Sequence, residues 1–118
     1  MPRTDLTKTT LKGPFVALPA TADSLDATFA AADVANKNQF ACSGNDILIA
    51  WNSGASPYTV TFTSVVDSQL RTGDITTYSL AAGDIMAFRF GNDGWRQTDG
   101  KVYVEASNAS VKFAVLTL

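Results

Sequence analysis

Catalysis near neutrality needs a group that exchanges a proton there, a metal, or an activated nucleophile. The 118-residue sequence is poor in all three. It has no histidine, which removes the commonest general base and the commonest nitrogen ligand together. Its single cysteine, Cys42, has no histidine to activate it and is expected to be a small buried residue. The acids are ten aspartates and Glu105. A glycosidase-type pair needs two carboxyls facing each other across a cleft at a defined separation, whereas Asp67, Asp74, Asp84 and Asp93 fall in turn-forming stretches scattered along the chain. Calcium needs several converging oxygens, and Gly91-Asn92-Asp93-Gly94 lacks alternating acids at ligand spacing, so it reads as a solvated turn. Asn108-Ala109-Ser110 matches a glycosylation acceptor but is most simply a hairpin turn. Arg71-Thr72-Gly73-Asp74 is likewise a turn, its opposite charges forming at most a weak exposed pair. The chain is expected not to be an enzyme and to carry no cofactor and no metal.

The stretches between those turns explain why the acids sit where they do. In Tyr58 to Val66 the apolar side chains fall mainly on even positions and the threonines on odd ones, the signature of a half-buried strand. Asp84 to Phe90 places Met86, Phe88 and Phe90 on one face, and Lys101 to Glu105 places Val102 and Val104 opposite Lys101, Tyr103 and Glu105. Ile47 to Trp51 and Val111 to Leu118 are more continuously apolar, as central strands are. Asp74 to Leu80 has the least regular pattern. Turn formers separate these stretches at 52–57, 71–74, 81–84, 91–94 and 98–100. Strand and turn at this spacing predict an all-β chain, a single antiparallel β-sandwich of jelly-roll type.

The N-terminal third differs. Residues 1–13 mix threonines with Pro2 and the cations Arg3, Lys8 and Lys12, lack apolar periodicity and end at Gly13-Pro14, which predicts an extended N-terminal arm before a sandwich domain over 14–118. Such an arm is either a frayed terminus or a segment that orders on a partner. Phe15 to Leu18 suits a first strand. Leu25, Ala27 and Phe29 alternate like another, although Ala30-Ala31-Ala32 would also suit a helical turn. Asn36-Lys37-Asn38 reads as a turn.

Charge and hydropathy restrict the partners. The chain has 9 basic and 11 acidic residues, but residues 1–12 set three cations against Asp5 alone. The body is therefore acidic and would repel phosphate backbones, and no basic residues interleave with aromatics, so a nucleic-acid partner is not expected. No run approaches membrane-spanning length and the N-terminus lacks the apolar core of a signal peptide, which predicts no membrane association and synthesis in a cytoplasm. A lone cysteine leans the same way.

A succession of motifs carries a resemblance: Asn36-Lys37-Asn38-Gln39-Phe40, Ser43 to Ile49, Asn52 to Ser56, Val60 to Ser64, Arg71 to Ile75, Ala81 to Asp84, Gly100 to Val104 and Ala114-Val115-Leu116. Over residues 25–118 this resembles the small structural proteins encoded beside the major capsid protein in tailed bacteriophages, the head decoration or cement proteins. A proline-rich segment often precedes the late aromatic in such proteins; here Phe90-Gly91-Asn92-Asp93-Gly94-Trp95 stands in its place. The resemblance implies a β-sandwich made in the host bacterial cytoplasm, located on the capsid exterior of the virion and bound to the major capsid protein. It implies a homo-oligomer, a trimer over local threefold positions being favoured.

The residues expected to face a partner are Arg3, Lys8, Lys12 and Phe15 in the arm, and Trp95 and Arg96 in the 91–100 loop. Trp95 is either an interface anchor or a plug over the end of the sandwich. Trp51 is expected in the core. A carbohydrate-binding module would use a similar sandwich with Trp51, Tyr58, Trp95 and Tyr103 as a stacking platform, and a phage fibre or tail attachment module is a third reading.

Overall fold

The computed structural model describes residues 2–11 and 27–118; the expected strand over Phe15 to Leu18 and the boundary at 13/14 lie outside the described residues. Every regular element among those described is a strand: β1 (Thr4–Asp5), β2 (Lys8–Thr10), β3 (Ala30–Ala31), β4 (Asn38–Ala41), β5 (Asp46–Asn52), β6 (Tyr58–Thr63), β7 (Ile75–Leu80), β8 (Ile85–Phe90), β9 (Lys101–Ala106) and β10 (Val111–Thr117). In β5 the even residues are buried and the odd ones half-exposed without a break, and β9 repeats this with Val102 and Val104 inside. The period-two patterns of the sequence are therefore the two faces of a sheet.

Four antiparallel pairs are nested one inside the next: β6 with β7, β5 with β8, β4 with β9, and β3 with β10. This long double ribbon is rolled so that β9 also pairs with β6 and β10 also pairs with β5. The result is a jelly roll of two sheets. Sheet A runs β1-β4-β9-β6-β7, and sheet B runs β2-β10-β5-β8 with β3 also on β10. β1 and β2 are the exceptions to antiparallel pairing, since each lies parallel to its neighbour.

Side chains from both sheets interlock between them. Phe40 and Phe62 of sheet A meet the ring of Phe90 from sheet B edge-on, with centroids 5.8 and 5.3 Å apart. Such pairs add about 0.5–1.5 kcal/mol to the burial of the rings themselves. Leu48, Val60, Val102, Val104, Val111, Phe113 and Val115 complete the buried core.

Three buried polar side chains sit at strand ends, and each has its partners. Asn52 donates to the Ser56 and Leu80 carbonyls and accepts from the Gly54 amide. Asn38 accepts from the Asp33 amide. Asp46 takes part in the site described below.

One strand departs from regularity. In β7, Ile75 lies opposite Phe62 and Tyr78 opposite Val60, so one extra residue is accommodated between them. Thr77 takes φ +49° there and its amide donates to the Thr61 hydroxyl. This bulge reverses the alternation in mid-strand and accounts for the irregular pattern of Asp74 to Leu80.

Candidate functional site

Of the N-terminal cations, Arg3 and Lys8 are engaged by the chain's own body. Residues 4–10 are extended, as an arm would be, but they pair with the edges of both sheets. Thr4 and Leu6 donate their amides to the Lys37 and Gln39 carbonyls beside β4, and Leu11 donates to Thr117 at the end of β10. Between β1 and β2 the chain passes from one sheet to the other, and Leu6, 7 % exposed, enters the core at the crossing. Arg3 lies 4.2 Å over the Tyr103 ring, donates to the Asn38 and Val104 carbonyls at 3.1 and 3.3 Å, and comes within 4.0 Å of Glu105. Asp5 accepts from Gln39 and Lys101, which hold its carboxyl below the usual range.

Lys8 makes the most buried ionic contact of this segment. Its ammonium donates to the Ala41 carbonyl at 2.8 Å and stands 3.0 Å from Asp46, whose side chain is fully enclosed. The Ser43 amide and hydroxyl each donate to Asp46 at 2.7 Å. Burial pushes the Asp46 carboxyl up, but the Ser43 amide, the Ser43 hydroxyl and the Lys8 ammonium together outweigh it and hold the group below the ordinary carboxylate range. Arg3 and Lys8 therefore fasten the segment to the sandwich. Lys12 and Phe15 lie outside the described residues.

The 91–100 loop closes one end of the sandwich. Trp95 packs edge-to-face on Phe88 and Phe90, with centroids 5.5 and 5.2 Å apart, which is the plug arrangement. Its remaining surface, with Val65 and Gly94, lines an open depression of about 250 Å³. The carboxylates at that rim are committed to loop closure. Asp67 accepts from the Arg71 and Gln69 amides and from the Arg71 guanidinium, and Ser68 donates twice to Asp93. Arg71 thus pairs with Asp67 rather than with Asp74, which instead accepts from the Ser64 amide and hydroxyl. Among the described residues no three His, Cys, Asp or Glu side chains converge to hold a metal ion. Arg96 is exposed. Cys42, expected to be buried, is half-buried at the edge of the core, with its thiol facing the Gly91 carbonyl and the Asn92 side chain.

The outer faces of the two sheets differ sharply. That of sheet A carries Thr59, Thr61, Tyr103 and Glu105. That of sheet B carries Ile47, Ile49 and Trp51 from β5 and Leu116 from β10, all half-buried, the buried Ala114, and the exposed Ile85 and Ala87 from β8, with Arg89 and Lys112 as its charged members. Ile85 is 63 % exposed. Trp51, expected in the core, stands on this outer face against Phe29 at 5.8 Å, because the inward positions of β5 are the even-numbered ones.

The four rings of a possible sugar platform do not share a face. Trp51 is outside sheet B, Tyr103 is outside sheet A beneath Arg3, Tyr58 packs against the core, and Trp95 closes one end. Comparison with protein-family models, with characterised proteins and with solved structures finds no match to this chain.

Proposed function

We propose that the chain is a structural protein of the bacteriophage head, a decoration or cement protein that binds the outer surface of the mature capsid and strengthens contacts between major capsid subunits. The observation that supports this reading is the apolar outer face of sheet B. Apolar surface released from water contributes about 25 cal/mol per Å²; on this face Ile85 and Ala87 are exposed and Ile47, Ile49, Trp51 and Leu116 are half-buried beside them, an arrangement that favours docking on another large surface over binding a small molecule. The sandwich behind it is a rigid support, because its N-terminal segment ties the two sheets together at one side.

A protein with this role binds a junction present only in the mature lattice, and differential affinity then stabilises that lattice. The test is co-sedimentation of the purified protein with expanded empty heads and with unexpanded precursor shells. Preferential binding to expanded heads is expected, and Ile49→Lys together with Ile85→Asp should abolish it while leaving the circular dichroism spectrum unchanged. Equal binding to both shells, or undiminished binding by the double variant, would overturn the reading. The separation of Trp51, Tyr58, Trp95 and Tyr103 weighs against the carbohydrate-binding alternative.

A further inference from the structure

A two-sheet sandwich has four lateral edges, and an uncovered regular edge strand is a template for another strand. Three of the four are dealt with inside the chain. The β4 edge is covered by β1, the β10 edge by β2 and β3, and β7 is bulged at Thr77. The fourth edge, β8, pairs with β5 in unbroken register from Asp46 opposite Phe90 to Trp51 opposite Ile85. No main-chain partner lies on its other side among the described residues.

The direction of its free groups follows from the ladder. Asn52 donates its amide to Asp84, so the even residues of β5 bond toward β8 and the odd residues toward β10. Met86, Phe88 and Phe90 are thus the bonded partners of Ala50, Leu48 and Asp46. Ile85, Ala87 and Arg89 turn their N–H and C=O groups to the open edge.

From this geometry we infer that β8 pairs antiparallel with β8 of a second copy, about a two-fold axis through Ala87. In that register Ala87 faces Ala87 and each Ile85 faces the other copy's Arg89, and every one of these pairs exchanges both its hydrogen bonds. The sequence suits this contact. The smallest side chain of the edge lies on the axis, where two copies of the same residue must meet. Arg89 lies across from an isoleucine rather than from its own image, so the two guanidinium groups are kept apart on either side of the axis. Arg89 has no ion-pair partner within its own chain among the described residues. The contact is isologous and closes with two copies, in place of the threefold trimer that the resemblance suggests. It stands independently of the capsid reading.

Light scattering coupled to size exclusion, and sedimentation equilibrium at micromolar concentrations, should show a dimer. Ala87→Pro removes an amide that points away from β5, a position where an edge strand tolerates proline. Losing the bonds at the axis should weaken self-association by roughly 30-fold. The joint can also be trapped. On a Cys42→Ser background, Ala87→Cys should cross-link two copies on mild oxidation, since bonded antiparallel pairs place Cα atoms about 5.5 Å apart, within disulfide reach. Ala55→Cys, exposed in the 52–57 loop, should not. A monomeric or trimeric wild type, a proline variant that still dimerises fully, or cross-linking no faster at position 87 than at 55 would overturn the inference. If the proline variant does not fold, the cross-linking comparison decides.

Discussion

Replacing Asp46 by Asn tests whether the N-terminal segment is fastened by charge. The substitution keeps the volume and lets the new side chain still accept from the Ser43 amide. Its Nδ2 group can donate to the Ser43 hydroxyl, which is free to turn toward Thr117 at 3.2 Å. What it loses is the contact at 3.0 Å with Lys8. Removing one partner of a fully buried pair costs about 3–5 kcal/mol. Lys8 is 21 % exposed and can recover part of its hydration, so the expected loss is about 2–3 kcal/mol. For a chain of this size that corresponds to a fall in Tm of roughly 8–12 °C. The same quantity follows from urea denaturation at unchanged m-value.

The pH dependence has a definite sign. A carboxyl whose folded pKa is depressed contributes stability that is complete above its unfolded value, 3.8 here, and is lost as pH falls through the folded value. The gap between wild type and Asp46→Asn should be constant from neutrality to about pH 5 and should shrink below about pH 4. Lys8→Met, which leaves the fully enclosed Asp46 carboxylate without its counter-charge, should lower stability at least as much as Asp46→Asn, and the double variant should cost about 1–2 kcal/mol less than the sum of the two. Amide exchange should accelerate first at Thr9 and Thr10. Additive single effects, or a stability gap unchanged at pH 2, would refute the ion pair as the fastening.

Trp95→Ala removes two edge-to-face contacts at the end of the core; it should cost about 3–5 kcal/mol in chemical denaturation, and an unaltered midpoint would show the ring to be free for a partner instead. Gly83 has φ +83° and open space where a Cβ would stand, so Gly83→Ala should cost only the backbone penalty of about 1–2 kcal/mol. Gly83→Asn should recover part of that, as read from Tm; equal losses for the two would disprove the conformational explanation.

Most of the long strands were legible, either from the alternation that one buried face imposes or from an unbroken apolar run. β6, β8 and β9 show the period that one-sided burial imposes, β5 and β10 read as strands from their continuous apolar runs, and Asn108-Ala109-Ser110 forms the expected turn, the Asn108 side chain accepting from the Ser110 amide. β7 was obscured because an alternation broken at Thr77 has no single period. β1, β2 and β3 span two or three residues and can have none. Trp51 reads as core from its apolar neighbours, yet a central strand of a two-sheet structure keeps one face outside. The cations were the least readable feature. A guanidinium finds carbonyls wherever the fold assembles them, and Arg3 reaches that of Val104, 101 residues along the chain. No local spacing encodes such a contact.

Edge protection is where this fold reveals most about its use. Covering an edge with short parallel strands, as β1 and β2 do, takes a dedicated segment, an entering leucine and a buried ion pair. Bulging an edge, as at Thr77, takes a residue in an unfavourable conformation of order 1–3 kcal/mol. Both devices are present, so the straight strand at β8 is not the product of a fold without means of protection. Pairing through β8 would place two outer faces of sheet B side by side as one continuous sheet, with Ile85 and Ala87 of both copies at its centre. Two joined faces bind a repeating surface with an effective local concentration that neither has alone, so a modest contact per copy becomes a slow-dissociating one. A lattice of identical subunits is such a surface. On the proposed pairing and the proposed capsid role, the β8 edge, which no described residue covers, would set the spacing of the copies and the apolar face would make the contact.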